Sequence, residues 1–369
     1  MMRVGYDDQA LLAQRRGGVS RYVLSLVGVF GAAPELGVEP VTAWRFSTNE
    51  HALAAGVARG IGPLDRHRRG FDPISAGACF ALNSAGRRRA RGADLLHQTF
   101  YHPRFLEKRG SRPSVVTVYD MIPELFPELF DRNPHLAKAE YIRQSDLVIA
   151  ISESAAADLV RVYGEIAAPI VVTPLGVDPV FRPGVRALSD LPPRYQLFVG
   201  RRDGYKNFGV VIAALASDAS NSDPLVAVGG GPFSVEEHRL LARYGLGGRV
   251  IQRDLPEVAL PAAYANASVF IFPSQYEGFG LPTLEAMASG TPTLLAAASS
   301  LPEVGGSAAR YFDPTDSSAL ADLLRWIDND PGGAADLGAR GLARASEFTW
   351  RRTAELTGLA YRQLLPDAA

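Results

Sequence analysis

Cysteine is almost missing from this chain of 369 residues: Cys79 stands alone. That excludes an internal disulfide framework and a cysteine-built metal cluster, and it fits a reducing compartment. Lysine is scarce as well, limited to Lys108, Lys138 and Lys206. No sign of charge dominates, since 38 basic residues face 39 acidic ones for a net charge of -1; nucleic acid exerts no global pull and is not an expected partner. Long apolar runs are lacking too. Tyr22 to Ala33 is interrupted by Ser25 and Gly28 and stopped by Pro34, well short of the ~20 apolar residues of a membrane span. After Arg3, Asp7 and Asp8 cut off any secretory apolar core. A cytoplasmic protein is expected, with at most peripheral contact at the inner face of a membrane.

What is present is enough apolar content, 47%, to bury two cores at ~150 residues per domain. β-branched apolar runs alternate with segments of helical period, which predicts an α/β protein with parallel sheets covered by helices. First-half strands are expected at 3–6, 93–98, 114–119, 146–151 and 170–173. Val23, Leu26, Val27 and Phe30 fall at i, i+3, i+4 and i+7, one buried helical face. A stretch from Leu175 to Pro193, punctuated by Pro179, Pro183, Pro192 and Pro193, reads as a linker. Alternation restarts with the strand 195–200 and the helical face Phe208, Val211, Ile212 and Leu215. A strand at 309–312 leads to a helix capped by Asp316 or Ser317, and 334–365 reads as helical throughout. The expected domains are 1–182 and 183–345, both doubly wound and Rossmann-like, followed by a terminal helix at 346–369. Ligands of such sheets sit at the carboxyl ends of strands.

Three loops in those positions carry candidate chemistry. In Phe270-Ile-Phe-Pro-Ser-Gln-Tyr-Glu-Gly-Phe-Gly-Leu-Pro282 an apolar strand ends at Pro273 and Pro282 opens a helix whose free amides favour an anion, with Gly278 and Gly280 permitting close approach. Glu277 and Glu285 flank that anion site. Carboxylates suit vicinal hydroxyls, so a ligand with phosphates in the middle and a polyol at each end, a sugar nucleotide, fits the arrangement. On spacing alone it is equally well read as Glu285 favouring the first helical turn and Glu277 solvated. The loop Gly200-Arg-Arg-Asp-Gly-Tyr-Lys-Asn207 clusters Arg201, Arg202 and Lys206 before a helix capped by Asn207, either to neutralise phosphates or as ordinary surface charge. Gly17-Gly-Val-Ser20, with Gly18, precedes a helix and can present amides to a phosphate or an acceptor. Neither this stretch nor Gly229-Gly-Gly-Pro232 matches the dinucleotide fingerprint, so no nicotinamide cofactor is expected.

Together these stretches resemble the retaining glycosyltransferases of family 4, in their mannosyltransferase-like group. Glu277-Gly-Phe-Gly-Leu-Pro-Thr-Leu-Glu285 is similar to the E-x7-E signature, and Gly17-Gly-Val-Ser-Arg-Tyr22, Val199 to Asn207, Ser145 to Ser152 and Pro174-Leu-Gly-Val-Asp178 follow in the expected order. The resemblance implies the GT-B fold, two facing Rossmann-like domains with the terminal helix around Phe348 to Tyr361 crossing back to the first. It implies that Glu277 contacts donor-sugar hydroxyls, that Gly278, Phe279, Gly280 and Leu281 approach sugar and phosphate, and that Glu285 binds the ribose. Arg202 and Lys206 would hold the pyrophosphate, with Arg201 as the alternative arginine, and the base would lie near Arg253, Asp254 and Leu255.

Where many members carry T-[IV]-H-D, this chain reads Thr117-Val-Tyr-Asp120. Tyr119 donates a hydrogen bond but is no base near neutral pH; Asp120 and His97 are the remaining candidates, a lone histidine at a strand end being more often structural. The implied reaction moves a sugar from a nucleotide-diphosphate donor, GDP- or UDP-linked and including GDP-mannose, to a hydroxyl of a glycan, lipid-linked or small-molecule acceptor. The leaving phosphate would take the acceptor proton. With no D-x-D stretch in any of the three candidate loops, neither metal nor other cofactor is expected. A nucleotide-sugar epimerase, a phosphorylase and a noncatalytic nucleotide-sugar sensor are the alternatives. The basic stretches Arg66 to Arg69 and Arg87 to Arg91 read either as solvated faces or as a seat for an anionic lipid-linked acceptor or membrane surface.

Overall fold

In the computed structural model, which describes residues 1–62, 73–108, 112–131, 133–217 and 223–365, the chain forms two units. One is Met1–Gly176 together with the segment from Trp350, the other Val177–Thr349. The first holds the parallel strands β1 (Met2–Tyr6), β2 (Val38–Thr42), β3 (Leu95–Gln98), β4 (Ser114–Val118), β5 (Leu147–Ala150) and β6 (Ile170–Val172), ordered β2-β1-β3-β4-β5-β6. β4 and β5 are buried along their whole length, as strands covered on both faces must be. β2 escaped the sequence reading because Glu39 and Pro40 interrupt it. It is an edge strand, where proline's missing donor is tolerated.

The helix Gly18–Ala32 buries Tyr22, Val23, Leu26 and Phe30, each apolar side chain contributing roughly 1.5–3 kcal/mol. The last helix, Trp350–Leu364, packs on it, with Tyr361 6.1 Å from Phe30 and Trp350 6.3 Å from Tyr22 between ring centres. The chain thus returns to the first unit at its end.

The second unit holds β7 (Gln196–Val199), β8 (Leu225–Val228), β9 (Val250–Arg253), β10 (Val269–Phe272), β11 (Thr293–Ala296) and β12 (Arg310–Phe312), ordered β12-β11-β10-β7-β8-β9 and all parallel. Phe208, Val211, Ile212 and Leu215 are buried, and Phe208 meets Phe198 of β7 edge-on at 5.0 Å. Both sheets are doubly wound. Strand order reverses between β1 and β3 in one and between β7 and β10 in the other, and these switch points open the ligand crevices of such sheets.

Three boundaries differ from expectation. The first unit ends at Gly176, not 182, because the proline-rich stretch belongs to the second unit: Phe181 is buried edge-on against Tyr264 at 5.7 Å. The expected continuous helix at 334–365 is two helices, Pro331–Ala345 and Trp350–Leu364. Between them the Val177 amide donates to the Phe348 carbonyl at 3.0 Å, which draws the chain out of helical conformation. The unit boundary accordingly falls at Trp350 and not at 346. Of the basic stretches, Arg66 to Arg69 lie outside the described residues, while Arg87 to Arg91 lie on the helix Ser84–Arg91. No helix among the described residues is long and apolar enough to cross a membrane.

Candidate functional site

The loops that follow β7 and β10 border the switch point of the second sheet. β7 runs into Gly200, which has a φ of +139°, and then a 3-10 turn at Gly204–Lys206. Asn207 closes that turn in the left-handed region, φ +56°. Its side chain does not cap the following helix as the sequence suggested; the amide donates to the carbonyls of Pro273 at 3.1 Å and Pro314 at 2.7 Å. The Gln275 amide donates to the Tyr205 carbonyl at 2.8 Å. These bonds bring the two loops together, and Lys206 Nζ lies 2.6 Å from Glu277 Oε1. Both side chains are mostly buried, 15% and 11% exposed, so the pair is largely sheltered from water and retains more of its attraction than a surface pair.

The backbone of Glu277 is held from the neighbouring strand's loop. Ser299 Oγ accepts from its amide at 2.8 Å, and Ser300 Oγ donates to its carbonyl at 2.9 Å. Ser299 takes a φ of +47° to do so. The sequence reading missed both serines, although their place between a strand and a Leu-Pro helix start is a detectable signal. Gly280 caps the helix Leu281–Ala288 at φ +91°, and a Cβ there would come within 2.8 Å of Leu301, so glycine is required. Pro282 lies inside the first turn. Phe279 is buried against Phe348 at 6.0 Å, Leu281 begins the helix, and Glu285 is buried on it at 4% exposure.

The two arginines separate cleanly. Arg202 is buried, and its guanidinium is occupied by the protein: Nε donates to Glu237 Oε1 at 2.6 Å, and the terminal nitrogens reach the carbonyls of Gly229, Gly231 (2.9 Å) and Pro232 (3.2 Å). It braces the triglycine loop after β8, whose three glycines all have positive φ. In this structure its donors are thus turned to that loop and to Glu237. Arg201 is 73% exposed and paired only with neighbouring Asp203, and is free to be recruited. Arg253, Asp254 and Leu255 lie at the end of β9, where the Arg253 guanidinium donates to the carbonyls of Gln252 at 3.0 Å and Asp190 at 3.5 Å.

In the first unit several candidates are hydrogen-bonded into the core. His97 of β3 is buried, with Nδ1 2.5 Å from the Tyr361 hydroxyl and Nε2 2.8 Å from Thr117 Oγ1; burial pushes its pKa down to about 3. Both of its nitrogens are engaged in the core. Tyr119 donates to the Thr99 carbonyl at 3.0 Å, and burial holds its phenol well above its usual range. Asp120 accepts from the Ile122 amide at 3.0 Å, and its carbonyl accepts from fully buried Lys138 at 2.8 Å. Gly17 precedes the helix Gly18–Ala32, and a Cβ on it would collide with Gln14. Ser20 is buried, its hydroxyl donating to the Gly17 carbonyl at 3.0 Å. Among the described residues no group of three or more His, Cys, Asp or Glu is placed to hold a metal ion.

Two doubly wound parallel sheets in one chain are the architecture of the GT-B fold, and comparison with solved structures agrees on that fold. Sucrose-phosphate synthase from Thermosynechococcus elongatus superposes with a TM-score of 0.76 at 23% identity, over 99% of this chain and 100% of that one. Anabaena HepE in complex with UDP and glucose does so at 0.69 and 19%, over 98% and 100%. The sequence matches the Glycosyltransferase Family 4 model over residues 16–181 and the Glycosyl transferases group 1 model over 186–344. O-antigen chain mannosyltransferase B of Escherichia coli is 30% identical over 287 residues, 72% of this chain and 73% of that protein. The chain belongs to glycosyltransferase family 4.

Proposed function

We propose that this glycosyltransferase moves a hexose, with retention at the anomeric carbon, from a nucleotide-diphosphate donor to an acceptor hydroxyl. The observation that carries the reading is the Lys206–Glu277 pair at the β7/β10 switch point, a cation and a sugar-binding carboxylate held beside a helix N-terminus. In this reading Lys206, recruited Arg201 and the backbone from Gly278 to Leu281 take the diphosphate. Glu277 accepts from donor-sugar hydroxyls, Glu285 from the ribose, and Arg253 to Leu255 border the base. The mannosyl activity named for the E. coli relative and the UDP bound by HepE support GDP-mannose and UDP-glucose as the first donors to try.

The bond from C1 to the leaving phosphate oxygen breaks and a bond from C1 to the acceptor oxygen forms on the same face, while the acceptor proton passes to the leaving diphosphate. The enzyme's task is then to stabilise charge on the departing group and orient the sugar. The buried positions of His97 and Tyr119 favour a reaction without a protein base. Lysine and helix amides supply positive charge at the phosphates, so we propose that no metal is needed.

A panel of nucleotide sugars tested for thermal stabilisation and slow hydrolysis, before and after exhaustive chelation, checks this reading. One donor should stabilise the protein and be hydrolysed at an undiminished rate in chelator, with nuclear magnetic resonance detecting the retained anomer on transfer. Conversion without any acceptor into an epimer, a requirement for inorganic phosphate, or binding without turnover identifies the epimerase, phosphorylase or sensor reading instead.

A further inference from the structure

Among the described residues every positive φ falls on glycine except two, Asn207 at +56° and Ser299 at +47°. Glycine meets such a conformation without strain, whereas a Cβ there crowds the backbone. A side chain kept in that region is therefore kept for a contact that glycine cannot make, and strained residues of this kind collect at functional sites.

Both contacts end on one place. Asn207 follows Lys206, and its side-chain amide donates to the Pro273 carbonyl at 3.1 Å, where β10 opens into the loop of Glu277, and to the Pro314 carbonyl at 2.7 Å, just beyond β12. Ser299 lies beyond β11, and its Oγ accepts from the Glu277 amide at 2.8 Å. The next residue, Ser300, is buried and donates to the Glu277 carbonyl at 2.9 Å. Leu301 follows, the side chain that a Cβ on Gly280 would meet at 2.8 Å. The serine turn is itself anchored, since the Ala297 amide donates to the Phe312 carbonyl of β12 at 2.8 Å and the Ala298 amide to the Ala296 carbonyl at 2.9 Å. Loops from the four adjacent strands β12, β11, β10 and β7 thus converge on Lys206 and Glu277, and each of these two has one of the strained residues at its backbone. A lysine and a glutamate attract each other through flexible stems, so attraction alone sets no single geometry. The tethers do.

We infer that Asn207 and Ser299 are positioning residues for glycosyl transfer: they fix the backbones of Lys206 and Glu277 before a donor binds, so that cation and carboxylate meet the transition state without rearranging. Groups held in this way act most on the transition state, because no reorganisation is left for the moment of reaction. Their loss is then read in kcat and not in the donor KM. The inference rests on the reading of Lys206 and Glu277 as donor ligands, and it adds two residues that act through them.

Variants of the full chain, assayed for hydrolysis of GDP-mannose and UDP-glucose, separate position from fold. Ser299→Ala and Ser299→Gly both lose the oxygen, but only glycine relieves the backbone. Ser299→Gly should unfold at higher denaturant than Ser299→Ala, yet kcat should fall about tenfold or more in both, at a donor KM within about twofold of native. Ser299→Asn, which tolerates the conformation and returns an acceptor oxygen, should recover most of the rate. Activity that follows stability through this series overturns the inference. Asn207→Gly keeps the turn and removes only the tether, and should likewise lose about tenfold in kcat at unchanged KM; a native kcat overturns the role of Asn207. In a Glu277→Ala background Ser299→Ala should add no further loss, as a residue acting through Glu277 must, and losses that multiply overturn it. Amide hydrogen exchange without any donor reads the tether alone: the peptide holding Glu277 should exchange about tenfold faster in Ser299→Gly. An unchanged exchange rate overturns the inference and leaves the donor reading standing. Native hydrolysis by Glu277→Ala removes the donor reading, and the positioning role falls with it whatever the exchange shows.

Discussion

Lys206 and Glu277 are 71 residues apart in the chain and 2.6 Å apart in space, joined across the two strands between which the sheet order reverses. Removing either leaves the other mostly buried and without its counter-charge. Lys206→Ala and Glu277→Ala should each lower kcat/KM by about a hundredfold or more, ~3 kcal/mol, the scale of a charged transition-state contact. The double variant should lose less than the sum, because the two act on one group of ligand atoms. Steady-state kinetics on folded variants decides it, and near-native rates remove these residues from the reaction.

Much of this geometry is legible before any coordinates. The helical faces at Phe208, Val211, Ile212 and Leu215 and at Val23, Leu26 and Phe30 are buried as their spacing requires, while Val27 of the second face is only half-buried. β2 was not legible because an edge strand tolerates the glutamate and proline that disguise it. Spacing also could not choose between Arg201 and Arg202, because the partners of Arg202 come from Gly229 to Pro232 and from Glu237, a loop and helix that only folding brings near. His97 shows the same limit from the other side: a lone histidine at a strand end is indistinguishable by sequence from a ligand until Tyr361, 264 residues later, is seen to occupy it.

The division of labour between the arginines is measurable. Arg202→Ala leaves Glu237 and three backbone carbonyls without their donor and should cost about 2 kcal/mol or more of stability. Arg201→Ala removes an exposed pair worth about 0–1 kcal/mol and should leave stability unchanged while raising the donor KM. Denaturant unfolding and donor titration on both variants check this. A destabilised Arg201→Ala or a fully stable Arg202→Ala reverses the assignment.

Buried His97 and half-buried His135 make stability depend on pH. Burial holds the folded pKa of His97 and of His135 at about 3, against an ordinary 6.5. Below about 6.5 the unfolded chain takes up protons that the folded one does not, so their stabilisation is complete above that pH and is lost as pH falls toward 3. Asp7 acts with the opposite sign. Its folded carboxyl, raised by burial from 3.8 to about 6, favours the fold at low pH and loses that contribution as pH rises through 6. The stability difference between the native chain and His97→Gln should therefore shrink by ~1.4 kcal/mol per pH unit on acidification below about 6.5. Asp7→Asn should steepen the acid limb. Unfolding free energies measured from about pH 7 to pH 4 follow both, and a pH-independent difference for His97→Gln contradicts the assignment.

Tyr119 gives the clearest test of whether a protein base is needed. It stands where relatives of this pattern carry histidine, yet its hydroxyl is committed to the Thr99 carbonyl at 3.0 Å and burial holds it protonated. Tyr119→Phe removes that hydrogen bond alone. The Thr99 carbonyl then lies buried without its donor, at a cost of about 1–2 kcal/mol in stability. If the departing diphosphate takes the acceptor proton, the hydroxyl has no part in the chemical step, and kcat should stay within about threefold of the native value with its pH profile unmoved. A fall in kcat of about a hundredfold at unchanged donor KM, in a variant that melts as a folded protein, would place the phenol in the transition state. It would also replace the substrate-assisted route with one that runs through a side chain.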